Sequence, residues 1–121
     1  MKILIIGYGS IGMKHARILQ NMQNEVRVLS QRNVKNLKSY KNIKLAFSDF
    51  DPEYVIVSNN TYDHYETLKY ISEEDFSGTI LIEKPLFHFL PNKINIKFDN
   101  IYVGYNLRFH PLIKKLKDEI K

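Results

Sequence analysis

The hydrophobic and polar positions of the chain alternate between short apolar runs and stretches with helical periodicity. The apolar runs lie at residues 2–6, 25–29, 54–58, 79–82 and 101–105. Runs of this length that are rich in β-branched residues are typical of strands buried on both faces of a parallel sheet. The pattern therefore predicts an α/β fold in which strands and helices alternate along the chain.

Helical periodicity is clearest directly after the first apolar run. One face of the predicted helix contains four apolar residues and one histidine, namely Ile11, His15, Ile18, Leu19 and Met22. Their spacing of three or four residues is that of an amphipathic helix. A strand-to-helix turn is therefore expected between residues 6 and 11.

The stretch between the second and fourth strands has a weaker pattern. Residues 34–40 are polar and Lys-rich, with apolar positions at Val34, Leu37 and Tyr40, which predicts a short helix. Residues 43–47 alternate and predict an edge strand, the third of the sheet. A turn signal follows at Asp51-Pro52, so the helix between the third and fourth strands is expected to be nearly absent.

The first predicted turn contains a glycine motif whose spacing suits a dinucleotide. Gly7 allows the tight turn, Gly9 lets a pyrophosphate approach the backbone, and Gly12 lets the helix pack closely on the strand. The free N–H groups and the positive end of the helix dipole would face the phosphates. The alternative is a glycine-rich turn without a ligand. The residues assigned to the cofactor site here are Gly7, Tyr8, Gly9, Ser10, Ile11 and Gly12.

The end of the second strand indicates which dinucleotide is bound. Sites that prefer NAD usually place an acidic residue there for the ribose hydroxyls, and the chain has none between Val26 and Ser48. Ser30 and Arg32, with Gln31 between them, could instead bind a 2′-phosphate. We therefore expect NADP(H) to be preferred over NAD(H). The alternative is that these are ordinary loop residues and both cofactors are accepted.

Two further strand ends supply candidate residues. Asn59 and Asn60 follow the fourth strand, where a doubly wound sheet binds its ligands, although Asn60 could equally be a helix cap. The fifth strand leads into Glu83-Lys84-Pro85, which places a lysine at the same edge of the sheet. Glu83 could pair with Lys84 or orient it.

Composition and charge exclude several classes of protein. A length of 121 residues fits one domain, and the absence of Cys excludes disulfides and thiolate chemistry. No apolar run approaches the roughly 20 residues of a membrane span, and the chain opens on its first strand rather than a signal peptide, so a cytoplasmic location is expected. The net charge of +5 comes mostly from scattered lysines, so we expect no nucleic-acid partner and no membrane partner.

The motifs occur in an order that resembles a known family. The glycine motif, His15, His64, Glu83-Lys84-Pro85 and the segment 103–111 (VGYNLRFHP) together resemble the nucleotide-binding half of the Gfo/Idh/MocA oxidoreductases. The resemblance covers almost the whole chain. It implies a Rossmann-type doubly wound parallel sheet of about six strands in the order 3-2-1-4-5-6, with helices on both faces. It also implies a nicotinamide cofactor and hydride transfer at a sugar, nucleotide-sugar or cyclitol hydroxyl.

The same resemblance assigns residue roles. Lys84 would lie beside the nicotinamide as the catalytic residue and stabilise charge on the reacting oxygen. His64 would contact the cofactor near the nicotinamide. The remaining positions that the resemblance places at the cofactor are Glu83, Lys84, Pro85, Asn106 and Arg108. No metal site is expected.

The chain departs from the family pattern in two ways. The crossover over residues 86–99 is expected to be shortened, and the substrate domain of the family is expected to be absent from this chain. We therefore expect one cofactor-binding domain over residues 1–121 that binds cofactor without turning over a carbohydrate-type substrate. Its uncovered apolar residues predict a homo-oligomer, and these are Phe87, Phe89, Leu90 and Phe109. Two alternatives remain, a non-catalytic nucleotide sensor and a relic that no longer binds nucleotide.

Overall fold

A computed structural model describes residues 1–83 and 100–104 of the chain. The apolar runs at residues 3–6, 54–57 and 79–82 are buried throughout, as in strands covered on both faces, whereas residues 25–29 alternate between buried and more exposed positions. Each amphipathic helix packs one face on the sheet. The elements are β1 (Lys2–Ile6), α1 (Ser10–Asn21), β2 (Glu25–Leu29), β3 (Ser39–Tyr40), α2 (Ile43–Phe50), β4 (Tyr54–Val57), a 3₁₀ turn (Thr61–Asp63), α3 (His64–Glu73), β5 (Thr79–Glu83) and β6 (Asn100–Gly104).

The six strands form one parallel sheet in the order β3-β2-β1-β4-β5-β6. The predicted fold and strand order are confirmed. The central strand β1 pairs Ile3 with Val26 on one side and with Tyr54 on the other. The order in which successive strands are added to the sheet reverses at β1. The carboxyl ends of β1, β2 and β4 therefore border a crevice, and folds of this kind bind their ligands in such a crevice.

Alternating residues of the strands supply two separate apolar cores, one on each face. Ile3 and Ile5 of β1 pack with Ala16 and Leu19 of α1. Leu4 and Ile6 point the other way and pack with residues of α2 and α3, including Phe47, Phe50, Leu68 and Ile71. Helices therefore cover both faces of the sheet, as the period-two alternation of side chains along a strand requires.

The structure corrects the prediction for residues 34–50. Residues 34–38 are not helical, the third strand is the two-residue β3 at Ser39–Tyr40, and the segment predicted as an edge strand is helix α2. The turn predicted at Asp51-Pro52 is present, since Asp51 ends α2 with a left-handed φ of 51°. In α2, Ala46, Phe47 and Phe50 are buried, with the three- and four-residue spacing of a helix face.

Helix α1 also differs in detail from its predicted face. His15 and Leu19 are buried as expected, whereas Ile11 and Ile18 are 49% and 43% exposed. In the part of the chain that is described, no helix is both long and apolar enough to cross a bilayer. The predicted crossover at 86–99 and the apolar surface that predicts a homo-oligomer (Phe87, Phe89, Leu90 and Phe109) lie outside the described residues.

Candidate cofactor-binding cleft

A cleft of about 830 Å³ opens at the carboxyl ends of β1, β2 and β4. Its floor is the turn between β1 and α1. One wall is the loop after β2 together with the start of α2, and the other is the loop after β4 together with α3. The described residues that line it are Ile6, Gly7, Tyr8, Gly9, Ser10, Ile11, Leu29, Ser30, Gln31, Arg32, Lys41, Asn42, Ile43, Ser58, Asn59, Asn60, Asp63, Thr67 and Tyr70.

The three glycines of the motif meet different surroundings. Gly7 has a φ of +95°, and a Cβ there would lie 2.5 Å from the backbone N and Cα of Asn59. A Cβ on Gly12 would lie 2.2 Å from the carbonyl oxygen of Gly7, so only glycine lets α1 begin this close to β1. A Cβ on Gly9 would meet no atom within 4 Å. Gly7 and Gly12 are therefore required by packing, whereas the surroundings of Gly9 leave open space.

The amino end of α1 has unused hydrogen-bond donors. Its N-cap residue is Gly9, so no side chain caps the helix, and the first turn contains no acidic residue. The first bond across the cap runs from the N–H of Met13 to the carbonyl of Gly9, at 2.9 Å. The N–H groups of the preceding turn therefore have no helical acceptor, and together with the helix dipole they favour an anion.

The loop after β2 is held by hydrogen bonds within the wall of the cleft. The Ser30 hydroxyl accepts from the N–H of Arg32 at 3.1 Å. The Lys41 ammonium, which arrives from the end of β3, donates to the carbonyls of Gln31 and Arg32 at 2.9 and 3.2 Å, and to that of Ser30 at 3.4 Å. The Gln31 amide donates back to the carbonyl of Lys41 at 2.9 Å. The loop and the end of β3 thus form one polar wall.

The loop after β4 is positioned by two buried side chains of α3. The Asn59 side-chain amide donates to the Thr67 hydroxyl at 2.9 Å, and His64 Nε2–H donates to the carbonyl oxygen of Asn59 at 3.1 Å. Within the part of the chain that is described, the buried Asn59 Oδ1 has no hydrogen-bond partner. Asn60 accepts from the N–H of Tyr62 at 3.1 Å, so it caps the 3₁₀ turn as well as lining the cleft.

A buried pair joins α1 to the end of β5. His15 is 1% exposed, and its Nε2–H donates to the Glu83 carboxylate at 2.8 Å. His15 Nδ1 has no partner among residues 1–83 and 100–104. Because a carboxylate accepts, the proton of the bond to Glu83 is carried by Nε2. Sequence analysis predicted Lys84 as the partner of Glu83. Lys84 lies outside the described residues, and the observed partner is the histidine of the glycine-motif helix.

A charged cluster supports the β2–β3–α2 wall from outside the cleft. The Tyr40 hydroxyl donates to Asp49 and accepts from Arg27 at 2.6 Å, and Arg27 also stacks 4.4 Å above the ring of Phe50. Burial, followed by the bond to Asp49, raises the pKa of Tyr40. The bonds from Tyr40 and then Lys38 lower the pKa of Asp49, and the bond to Tyr40 raises the pKa of Arg27. The cluster thus favours a neutral tyrosine between two charged partners.

Most of the predicted cofactor residues come together in this one cleft. Ten of them line it, namely Gly7, Tyr8, Gly9, Ser10, Ile11, Ser30, Gln31, Arg32, Asn59 and Asn60. Gly12, His64 and Glu83 do not line it; their neighbours are Gly7, Asn59 and His15 respectively. Their direct contact with a cofactor stays a prediction. Lys84, Pro85, Asn106 and Arg108 lie outside the described residues.

Nine residues that line the cleft were not predicted as site residues from the sequence, namely Ile6, Leu29, Lys41, Asn42, Ile43, Ser58, Asp63, Thr67 and Tyr70. The residues at and after the start of α3 could have been found from their spacing, since its N-cap Asp63 is followed by Thr67 and Tyr70 at intervals of four and three residues. Lys41 could not, because the third strand was predicted in the wrong place. The described residues contain no group of three His, Asp or Glu side chains that could hold a metal ion.

The chain matches the model of a known protein family. Residues 1–94 match the sequence model of the Gfo/Idh/MocA group, described as an oxidoreductase family with an NAD-binding Rossmann fold. A comparison with curated proteins finds no match.

Several solved structures share the fold. A probable dehydrogenase from Thermotoga maritima is 24% identical, with a TM-score of 0.70, covering 99% of this chain and 40% of its own. UDP-N-acetylglucosamine 3-dehydrogenase GnnA from Acidithiobacillus ferrooxidans is 17% identical, with a TM-score of 0.61, and the match covers 98% and 43%. The WlbA (WbpB) dehydrogenase from Thermus thermophilus, solved with NAD and UDP-GlcNAcA, is 16% identical at a TM-score of 0.61, covering 98% and 46%. The chain therefore spans less than half the length of each of these proteins.

Proposed function

Because the chain belongs to the Gfo/Idh/MocA oxidoreductase family with its NAD-binding Rossmann fold, we propose that residues 1–121 form the cofactor-binding domain of a sugar-type dehydrogenase. The reaction is hydride transfer between NAD(P) and a hydroxyl of a sugar, nucleotide sugar or cyclitol. The substrate class is supported by the resemblance of the motifs and by neighbours of the same fold that act on or bind UDP-sugars.

The observation that carries the proposal is the uncapped amino end of α1 at an open part of the cleft. Ser10 and Ile11 present N–H groups at the start of α1, where the N-cap residue Gly9 has no side chain to accept from them and leaves free the space in which a phosphate would approach. A pyrophosphate supplies acceptor oxygens and negative charge, the two properties this surface favours. The residues present therefore fit a dinucleotide phosphate.

The loop after β2 would hold the adenosine ribose, since it lines the same cleft beside the glycine turn. We propose that Ser30 and Arg32 bind a 2′-phosphate there, so that NADP(H) is preferred over NAD(H). Asp63, which belongs to the opposite wall, is the one acidic residue among the described residues that line the cleft. No carboxylate of the loop after β2 would therefore bind the ribose hydroxyls or repel a phosphate.

The bound nicotinamide would supply the hydride donor or acceptor. Lys84 is proposed to bind the reacting hydroxyl and stabilise its developing charge, a role that comes from the family motif. Glu83 precedes it and is held by His15, which fixes the end of β5 relative to the helix that would hold the phosphates. Because the chain spans 40–46% of the length of the matched structures, we propose that substrate contacts lie partly outside residues 1–121. The chain alone should then bind cofactor with negligible turnover.

Calorimetric titration with NADPH and NADH tests the proposed function. The native chain should bind both and favour NADPH. Arg32→Ala should weaken NADPH binding about tenfold, which is the value of one charge-assisted contact. The affinity for NADH should change by no more than about twofold. Arg17→Ala is the matched control, because Arg17 is an exposed arginine of α1 that does not line the cleft.

Three outcomes would be informative. A selective loss of NADPH affinity supports both the site and the cofactor preference. Equal affinity for the two cofactors, or tighter NADH binding, retains the dinucleotide site and refutes the preference. No binding of either cofactor by a folded chain refutes the proposed function.

A further inference from the structure

Lys41 occupies an unusual position in the cleft wall. It follows β3 directly, and its ammonium donates to three consecutive carbonyl oxygens of the loop after β2, those of Ser30, Gln31 and Arg32. The distances are 3.4, 2.9 and 3.2 Å respectively. The side chain lines the cleft, so this ammonium is held at the surface that a ligand would meet.

The charge of Lys41 is held in place without being neutralised. Carbonyl dipoles orient an ammonium but carry no net charge. Among the described residues, no carboxylate lies within ion-pair distance of Lys41 or of Arg32, whereas Arg27 pairs with two carboxylates and Lys38 with one. Two uncompensated cations therefore stand at one end of the cleft, and the loop that Lys41 holds is the loop that presents Arg32.

We infer that Lys41 is a specificity-determining residue that selects a phosphate on the adenosine ribose of the cofactor, an inference that rests on the proposed function. Its ammonium is already fixed by three carbonyls, so little side-chain freedom remains to be lost when an anion arrives. The ribose diol of NAD(H) offers no charge to this cation, so the gain is confined to a ligand with a 2′-phosphate. Arg32 supplies the second cation.

The structural alternative is that Lys41 only holds the loop closed. A residue with that role alone would affect every adenine nucleotide equally, because the loop shape matters to all of them. A residue that also contributes charge would affect ligands with a 2′-phosphate far more than ligands without one. The two roles are separated by a pair of ligands that differ in this phosphate alone.

Calorimetric titration with adenosine 2′,5′-bisphosphate and with 5′-AMP provides that pair. Lys41→Met keeps the length of the side chain and removes the charge, while Lys41→Gln keeps a donor for the carbonyls. Each substitution should weaken binding of the bisphosphate about tenfold and change the affinity for 5′-AMP by no more than about twofold. Lys41→Arg should bind both ligands with affinities within about threefold of the native chain. Lys44→Met is the matched control, because Lys44 is exposed on α2 outside the cleft.

The remaining outcomes overturn the inference in distinguishable ways. Equal weakening of both ligands by Lys41→Gln means that Lys41 only holds the loop. No effect of Lys41→Gln on either ligand, or a native chain that binds 5′-AMP as tightly as the bisphosphate, means that Lys41 does not select the phosphate, and dinucleotide binding then stands without it. A folded native chain that binds neither nucleotide nor either dinucleotide refutes the proposed function, and this inference with it.

Discussion

The two sides of the cleft that would hold the cofactor's charges are built by different means. The turn between β1 and α1 offers backbone N–H groups, and its shape depends on glycines within six residues of one another. The wall around the loop after β2 offers the side chains of Arg32 and Lys41. It is assembled from β2, β3 and α2 by hydrogen bonds between residues 10 to 22 positions apart.

This difference predicts how each side responds to substitution. A backbone site is sensitive to the addition of a single carbon atom, because the N–H groups are placed by close packing. A side-chain wall tolerates changes in shape but depends on a network in which each partner holds the next. The following substitutions test that contrast.

The largest effect is expected from a matched pair of glycine substitutions. Gly12→Ala places a methyl group 2.2 Å from the Gly7 carbonyl oxygen, so α1 or the turn must shift. We expect a loss of about 1–3 kcal/mol in the free energy of unfolding and more than tenfold weaker NADPH binding. Gly9→Ala meets no neighbour, so stability should change by less than about 0.5 kcal/mol while NADPH binding still falls about tenfold.

Urea unfolding and calorimetry of the two variants separate packing from ligand approach. A native-like stability of Gly12→Ala would show that the turn can move to accept the methyl group. Unchanged NADPH binding by Gly9→Ala would show that the phosphates do not pass near this residue, and the backbone side of the comparison would then fail.

A smaller effect is expected from Tyr40→Phe in the supporting cluster. The substitution keeps the buried ring, which is 4% exposed, and removes the hydroxyl that joins Asp49 to Arg27. We expect a loss of about 1 kcal/mol in the free energy of unfolding, the usual net value of such hydrogen bonds. Urea unfolding measures it, with Tyr70→Phe, a half-exposed tyrosine, as the control. Equal stability of native chain and Tyr40→Phe would show that water replaces these bonds without cost.

The smallest effect is a dependence on pH that comes from Asp49. Its pKa is lowered in the folded state, chiefly by the Tyr40 hydroxyl, so the stabilisation is present above the ordinary aspartate value of 3.8 and is lost as the pH falls through the lowered pKa. Asp49→Asn should therefore reduce stability at pH 6 and reduce it less at pH 3. Unfolding at both pH values checks this, with the exposed Glu73→Gln as control. A difference that does not shrink in acid would exclude the carboxylate charge as its cause.

The elements that sequence analysis predicted correctly are those with a local signal. β1, β2, β4 and β5 are short apolar runs, and α1 has amphipathic spacing. The strand order, in contrast, was implied by the resemblance of the motifs to the Gfo/Idh/MocA oxidoreductases. The prediction for residues 34–50 was wrong because their local pattern is ambiguous. Tyr40 is a strand residue in the same core cluster as the buried α2 residues, and its hydroxyl bonds Arg27 and Asp49. Phe47 and Phe50 reveal α2 only when Ala46 is counted with them.

The residues of the candidate site also divide into those with a local sequence signal and those without one. Glycines and strand ends could be found from the sequence, because their role depends on position within an element. Lys41 could not, since its role depends on which carbonyls lie beside it after β3 pairs with β2. The bond between His15 and Glu83 joins residues 68 positions apart, and nothing in the local sequence of either indicates the other.

The central place of β1 has a consequence for how the chain folds. This apolar strand precedes both of its neighbours, and its ladders close only when β2 at residues 25–29 and β4 at residues 54–57 are available. Until the chain has grown past residue 57, β1 presents an open hydrogen-bonding edge beside apolar side chains on both of its faces. Parallel pairing of this kind has a high contact order and closes slowly. A growing chain of this protein thus exposes an apolar, unpaired strand until its neighbours have been synthesised. Chaperones near the ribosome exit site are therefore relevant to its folding.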